Sequence, residues 1–303
     1  MSFASLKKNR KGSIDKLQQA AKEATTKKSY ADDRIWKPAR DKAGNGYAVI
    51  RFLPAPEGNP TPWVEYYDHG FKGPTGQWYI EKSLTTLGQD DPVGELNSKL
   101  WNQEEGDNTP GKKQARDQKR RRNFVSNVYI VKDAANPQNE GKVMLYKFGK
   151  RIFDKIMDAM QPQFQDEERV NPFDFWDGAD FKIKIRKGDG GWPNYDKSEF
   201  ADPKAIFDDD AEIEEVFNKL YDLREFTDAD TFKSYDELKS KLERVLGITT
   251  GDNRAPTLAE EAQLDESEDA PSMKRDEPKA PVSDGDDDDD ESLDYFSKLA
   301  EED

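Results

Sequence analysis

The chain has 303 residues, of which 36% are charged and 34% hydrophobic, and its mean hydropathy is −1.06. This composition is too polar for a packed core along the whole length, so at least one segment is expected to be disordered. The lack of cysteine excludes disulfides and thiolate metal ligands. No apolar run is long enough to span a membrane and the N-terminus has no apolar signal segment, so we expect a cytosolic protein and no membrane partner.

The net charge of −16 is unevenly distributed along the chain. Residues 251–303 contain 20 acidic and 5 basic residues, a net charge of −15, which leaves −1 for residues 1–250. Within that nearly neutral part, residues 1–40 carry +7 and residues 112–122 carry +6. A basic head and a basic stripe combined with an acidic tail are typical of a protein that binds nucleic acid and carries an acidic competitor for it.

In chain order, the first segment is a basic arm, residues 1–30. Within it, SIDKLQQAAKEA predicts a helix capped by Ser13, with Ile14, Leu17 and Ala21 on a narrow apolar side. The alternative is an arm that is frayed in the free protein.

The body, residues 31–247, begins with patterns typical of strands. GYAVIRFLP and QWYIEK each follow a turn signal, and NFVSNVYIVKD and KVMLYKF flank the turn-rich AANPQNEG, which predicts a paired hairpin. FKIKIRK alternates strictly, which predicts a half-buried strand with Phe181, Ile183 and Ile185 inside and three cations outside.

Helical spacing dominates the later part of the body. GKRIFDKIMDAM places Ile152, Ile156 and Met160 on one side, and EIEEVFNKLYDL is amphipathic. SYDELKSKLERVLG predicts a helix capped by Ser234 and ended by Gly247. The body is therefore predicted to be an α+β domain with a β-barrel-like core.

The last segment, residues 248–303, is predicted to be a disordered acidic tail, because the run SDGDDDDDES repels itself and cannot bury a core. Its end, SLDYFSKLAEED, places three apolar residues at helical spacing, which indicates a partner-docking segment that folds on binding. These residues are Leu293, Phe296 and Leu299. The alternative is an unstructured chain end.

The sequence contains no recognisable catalytic motif: no nucleotide-binding loop, nucleophile elbow or HExxH zinc motif. We therefore expect no enzyme and no catalytic residue. Two alternatives stay open at this point. One is an acidic protein-interaction or chaperone-like factor that does not bind DNA; the other is a metal-dependent nuclease that uses carboxylates.

Cations and aromatics are interleaved at three places in the body, in KRRRNF (119–124), YKFGKR (146–151) and KIKIRKGDGGWPNY (182–195). Single-stranded nucleic acid is bound by aromatic rings that stack on bases, set in a groove of cations that follows the phosphates. The repeated combination favours single-strand binding. Duplex recognition would instead require a basic helix, whereas KKQARDQKRRRNF leads directly into a strand-like segment.

Several of these segments also resemble a known family. AGNGYAVIRFLP, HGFK with WYIE, KRRRNFVSNVYIVKDAANPQNEGKV, YKFGKRIFDKI and NYDKSEF occur in order and are similar to the single-stranded-DNA-binding, helix-destabilising proteins of T-even-type bacteriophages. The resemblance covers roughly residues 34–205 and continues more loosely to residue 247. It implies an OB-fold core with helical additions that binds single strands without sequence preference.

The resemblance also implies a set of DNA contacts, of which the RRRNF and WPNY residues are the strongest candidates. They are Arg51, Lys72, Tyr79, Arg120, Arg121, Arg122, Phe124, Tyr146, Lys147, Lys150, Trp192 and Tyr195.

Further roles are implied for the two ends of the chain. The arm motif LKKNRKGS would dock on a neighbouring subunit and make binding cooperative, through Lys7, Lys8, Arg10 and Lys11. The acidic tail would cover the DNA groove and recruit phage replication and recombination proteins. The resemblance places these roles in DNA replication, recombination and repair, in the cytoplasm of the infected host cell.

The family holds a structural zinc ion with one histidine and three cysteines, and here only the histidine remains, as His69. A tetrahedral structural site needs four ligands, so we expect no metal cofactor. Asp90, Asp91 and Glu95 could supply oxygens, but carboxylates substitute poorly for thiolates. We expect apolar packing to replace the metal, through Leu84, Leu87, Val93, Leu96, Leu100 and Trp101. His69 would then be a relic or a hydrogen-bonding turn residue.

Overall fold

A computed structural model describes residues 32–248, apart from residues 104, 107, 163, 165–167 and 189–191. The predictions about the basic arm, the acidic tail and the docking segment at Leu293, Phe296 and Leu299 lie outside these residues. Within the described part, no helix is both long and apolar enough to cross a bilayer.

The described chain is a mixed α+β structure with nine strands and five α-helices. The strands are β1 Ile35–Trp36, β2 Gly46–Phe52, β3 Trp63–Lys72, β4 Trp78–Lys82, β5 Arg121–Asp133, β6 Val143–Phe148, β7 Ala179–Lys187, β8 Pro193–Asn194 and β9 Glu199–Pro203. The helices are α1 Pro92–Gln103, α2 Pro110–Asp117, α3 Lys150–Met160, α4 Asp210–Phe217 and α5 Tyr235–Leu246.

The strands form one curled, half-barrel sheet around β5. One edge of β5 pairs with β6, and this antiparallel hairpin was predicted. Along its other edge, β5 pairs first with β3, over residues 121–126, and then with β2, over residues 128–133. β2 continues the sheet to β7, which pairs with β8 and β9.

The main core lies inside the curl of the sheet. The alternation predicted for β7 is confirmed, because Phe181, Ile183 and Ile185 are buried in this core. α3 covers the core through Ile152 and Ile156, with its last residue, Met160, packed at the margin, as its helical spacing predicted. Aromatic rings dominate the centre, where Phe52 touches five other rings at centroid distances of 5.6–6.5 Å.

A second, smaller core lies between the β3–β4 hairpin and helices α1 and α5. Leu84 and Val93 are buried in it, and Leu87 and Leu96 pack against it, as predicted. Leu100 and Trp101 do not belong to this cluster; Trp101 lies instead beneath the cations of Lys112 and Arg116, 5.1 and 5.3 Å from its ring centroid. α5 has the predicted boundaries, with a capping box at Ser234 and Gly247 at φ +69°.

Candidate nucleic-acid interface

The three consecutive arginines at the start of β5 do not form one cluster. Side chains alternate between the two faces of a strand, so Arg122 lies on the face of the main core and Arg121 on the opposite face, while Arg120 precedes the strand and lies on the ring of Tyr67. The register agrees, because Arg121 lies opposite Asp68 and Arg122 lies opposite Tyr67 on β3. The basic stripe predicted from the sequence is therefore divided between two surfaces.

Arg122, on the core-side face, and Arg120 both lie on aromatic rings. The Arg122 guanidinium binds both carboxylate oxygens of Glu65, at 2.8 and 3.0 Å, and lies 5.1 Å from the ring centroid of Phe124. The Arg120 guanidinium lies 4.3 Å from the ring centroid of Tyr67. Such cation–π contacts hold a guanidinium flat while its edge can still donate hydrogen bonds.

On the opposite face, Asp68 holds two cations. Its carboxylate accepts hydrogen bonds from Arg121 Nε at 2.8 Å and from Lys147 Nζ at 2.7 Å. Burial alone would raise the pKa of Asp68, but the charges and hydrogen bonds of Lys147 and Arg121 outweigh burial and lower the pKa. Both cations therefore share one carboxylate, which leaves this cluster a net charge of +1.

An aromatic stack extends from Phe124, on the core-side face of β5, towards the surface. The rings of Phe124 and Phe153 are nearly parallel, with centroids 4.0 Å apart, and Trp63 packs on Phe153 at 5.5 Å. Phe124 is fully buried, but Phe153 and Trp63 are only partly covered. Sequence reasoning missed both of these rings. Phe153 follows Ile152 on α3 and therefore lies at the margin of the buried side formed by Ile152 and Ile156. A large ring at the margin of a buried helix side is the sequence signal that could have identified it.

Four of the predicted contact residues lie in the interior. Arg51, Tyr79, Phe124 and Tyr146 are at most 2% exposed, because they occupy inward-facing positions on β2, β4, β5 and β6. Arg51 contacts the carboxylate of Asp180 and the backbone carbonyl of Lys204. Phe124 and Tyr146 belong to the main core and Tyr79 to the smaller core, while Arg51 is held by Asp180 and Lys204, so none of the four side chains is accessible at the surface of this structure.

The remaining predicted residues are accessible. Trp192 is 69% exposed, whereas Tyr195 is partly covered and packs against the main core. Lys72 is exposed at the end of β3, and Lys150 lies at the start of α3, 3.5 Å from Asp154. Trp192 stands just before β8, where the amide of Gly188 donates a 2.8 Å hydrogen bond to its carbonyl oxygen.

Two surface cavities differ in their charge. One, of about 650 Å³, is apolar; it includes Trp63, Phe173 and Trp176, and its charged lining residues are Asp174, Asp210 and Glu214. The other, of about 430 Å³, is lined by Arg40, Asp41, Lys42, Ala43, Gly44 and Lys187. Only the second combines several cations, as a phosphate-binding surface requires.

His69 is a buried strand residue, 2% exposed, and not a turn residue. Its Nδ1 donates to the carbonyl oxygen of Gln118 at 2.9 Å, and its Nε2 lies 3.2 Å from Asp91 Oδ1. Asp91 precedes α1 and also accepts hydrogen bonds from the amides of Leu84, Val93 and Gly94 and from the Ser83 hydroxyl. The Asp91 carboxylate therefore connects β3, the turn after β4 and the N-terminus of α1.

These residues do not fit a structural zinc site. Both nitrogens of His69 face protein oxygens, and the Asp91 carboxylate is occupied by four donors. Burial alone would raise the pKa of Asp91, but the contacts from His69, Gly94 and Ser83 outweigh burial and lower it. Among the described residues, no group of three potential metal ligands lies close enough to hold an ion.

Comparison with known proteins is consistent with this surface. A family model described as "gp32 DNA binding protein like" matches residues 44–246. The single-stranded DNA-binding proteins of Enterobacteria phages T2 and T4 are each 38% identical to this chain, with 84% of the chain and 84% of each relative covered. The single-stranded DNA-binding protein of Escherichia phage SV14 is 42% identical over 94 residues, 30% of this chain and 82% of that protein. The chain therefore belongs to the gp32-like family of T-even-type phage single-stranded-DNA-binding proteins.

Proposed function

We propose that this chain binds single-stranded DNA without sequence preference and protects it during phage DNA replication. The observation that carries the proposal is an exposed Trp192 beside a cationic surface, in a chain that shares 38% identity with phage single-stranded DNA-binding proteins over most of its length. An exposed ring can stack on any base, and cations attract the phosphates. The chain is a binding protein and not an enzyme, which argues against the nuclease alternative.

The half-barrel would be an OB-fold. An OB-fold is a small, partly open barrel of antiparallel strands, and β5 pairs with β6 on one edge and successively with β3 and β2 on the other. This arrangement allows the sheet to turn back on itself, which supports the assignment. Residues 31–247 would form this DNA-binding core, flanked by the arm (1–30) and the tail (248–303).

Within the core, the accessible members of the predicted set would touch DNA. Trp192 and Tyr195 would stack on bases, and Lys72, Arg120 and Lys150 would contact phosphates. Arg121, Arg122 and Lys147 would contact DNA with the donors that their carboxylate partners, Asp68 and Glu65, do not occupy.

The arm and tail would act through other protein molecules. A net charge of +7 in residues 1–40 and −15 in residues 251–303 supports an arm that docks on a neighbouring subunit and a tail that competes with DNA for the core. The tail would also recruit replication and recombination proteins, giving the chain a role in recombination and repair inside the infected cell.

We further propose that the core folds without zinc, because the contacts of Asp91 connect β3, the turn after β4 and the N-terminus of α1 without a metal. Incubation with a zinc chelator should leave the melting temperature unchanged, and the purified protein should contain less than one zinc ion per ten chains. A fall in melting temperature that added zinc restores would contradict this proposal.

The function is tested by a matched pair of tryptophan variants. Trp192→Ala should weaken binding to oligo-dT by about 1–3 kcal/mol, or roughly 5- to 150-fold, because it removes a stacking platform. Trp176→Ala should leave affinity unchanged, because Trp176 is also exposed (53%) but lies at the acidic cavity. Equal affinities for all three proteins would place Trp192 outside the site. If the unmodified chain did not bind oligo-dT, the acidic protein-interaction alternative would be favoured.

A further inference from the structure

The basic pocket formed by Arg40, Lys42 and Lys187 is not among the DNA contacts expected from the sequence, although Lys187 belongs to the predicted segment 182–195. It lies between the loop that precedes β2 and the end of β7, and has a volume of about 430 Å³. All three cationic side chains are exposed. The pocket therefore concentrates positive charge on an accessible surface.

The cations of this pocket are not neutralised by the part of the protein that the structure describes. No ion pair joins Arg40, Lys42 or Lys187 to any described carboxylate. Asp41 is the acidic lining residue, and its Oδ1 already accepts hydrogen bonds from the amides of Ala43 and Asn45, at 2.9 and 2.8 Å. Among the described residues, an anion entering the pocket would thus meet three cations that form no ion pair, with Asp41 as the one acidic lining residue.

The loop that forms the pocket has a defined shape. Gly44 has φ +87°, a conformation that favours glycine, and a Cβ at this position would lie 3.1 Å from Cβ of Lys187. The close approach of Gly44 places the loop directly against the end of β7. Lys187 and the loop cations are therefore held together by the backbone.

The pocket also adjoins the exposed Trp192 and the partly covered Tyr195. Lys187 pairs with Pro193, the residue that follows Trp192. On the other side, Arg40 lies near the phenol of Tyr195. Burial raises the pKa of Tyr195, and the positive charge of Arg40 partly opposes that rise. Cations and aromatic rings thus occur together at this corner of the sheet.

We propose that the basic pocket is a phosphate subsite for single-stranded DNA and holds the backbone phosphate next to the base that stacks on Trp192. The inference rests on the proposed function and adds to it a phosphate contact through Arg40, Lys42 and Lys187. Stacking and phosphate neutralisation are the two elements of sequence-independent single-strand binding, and this corner supplies both.

The first test is the salt dependence of oligo-dT binding by the full chain. Each phosphate neutralised on a single strand contributes about 0.7 to the slope of log K against log salt concentration. The double variant Arg40→Gln/Lys187→Gln removes the contact with one phosphate and should therefore reduce the slope by about 0.7. Its control, Lys239→Gln/Arg244→Gln, changes the net charge equally on exposed positions of α5 and should retain the slope of the unmodified chain.

A slope that falls equally in both double variants, or in neither, would overturn the subsite, while oligo-dT binding by the unmodified chain would preserve the proposed function. Failure of the unmodified chain to bind would instead contradict the proposed function itself.

The second test changes the shape of the pocket and keeps its charge. Gly44→Ala should weaken oligo-dT binding several-fold, because the added Cβ presses on Lys187. Gly76→Ala is the matched control: Gly76 has nearly the same φ, +86°, but a Cβ there meets nothing within 4 Å. Equal affinities of the two folded variants would contradict the assignment.

Discussion

Two basic regions of this protein differ in how their cations are held. In the paired region of β3, β5 and β6, Arg121 and Lys147 bind Asp68, and Arg122 binds Glu65. In the basic pocket, Arg40, Lys42 and Lys187 have no ion-pair partner within the described residues. The paired region contains more basic residues in sequence, but the cations of the pocket are more available to bind phosphate.

The difference shows that a run of basic residues is not by itself a phosphate-binding site. A cation already bound to a carboxylate has part of its charge offset and some of its donors occupied, so its gain on binding DNA is smaller. The paired cations stabilise the fold and shape the surface, whereas unpaired cations attract DNA from solution.

The largest expected effect comes from removing the carboxylate of the paired region. Asp68→Ala should lower the free energy of unfolding by about 1–3 kcal/mol, because a mostly buried acceptor for two cations is lost, although both cations remain partly hydrated. Lys187→Ala, in the pocket, should change it by less than about 0.5 kcal/mol. Urea unfolding measures both, and equal losses would mean that the two regions do not differ in this way.

Lowering the pH should reduce the contribution of the paired region to folding stability, because Asp68 becomes protonated. The pKa of Asp68 is lowered in the folded protein, so its stabilising contribution is complete above the ordinary pKa of about 3.9 and is lost as pH falls through the lowered value. Urea unfolding at pH 6, 4 and 3 should show a smaller loss of stability for Asp68→Asn than for the unmodified chain. Identical pH profiles would show that Asp68 contributes no such linkage.

A smaller effect is expected from releasing one paired arginine to DNA. Glu65→Gln should raise the affinity for oligo-dT a few-fold and steepen the salt slope by about 0.7, because Arg122 would lose its charged partner. Glu215→Gln removes an equal charge from an exposed position of α4 and should leave the slope unchanged. If both variants responded alike, net charge would explain the result and the pairing would not.

Much of the fold could be predicted from the sequence, because the spacing of apolar residues indicates which side chains are buried. The alternation in β7 and the spacing of Ile152 and Ile156 in α3 predicted which side chains face the core. α1 and α2 were missed for physical reasons. α1 begins Pro-Val-Gly, where glycine lowers helix propensity, and α2 is a short polar helix that depends on Thr109 as its cap.

The candidate site was less predictable than the fold. The sequence identified Trp192 as exposed, since it follows a glycine-rich run, but could not show that Arg51 and Tyr146 face inward or that Asp68 binds Arg121. Such pairs join strands far apart in the chain. Arg40 and Lys187 likewise become neighbours only through the pairing of β2 with β7.

The most direct test of the account is a titration of intrinsic tryptophan fluorescence with oligo-dT and with duplex DNA of equal length, at two salt concentrations. We predict quenching by the single strand and not by the duplex, with binding that weakens as salt increases, because Trp192 is exposed beside the cations of the basic pocket. The absence of both quenching and salt-sensitive binding would contradict single-strand binding by this chain.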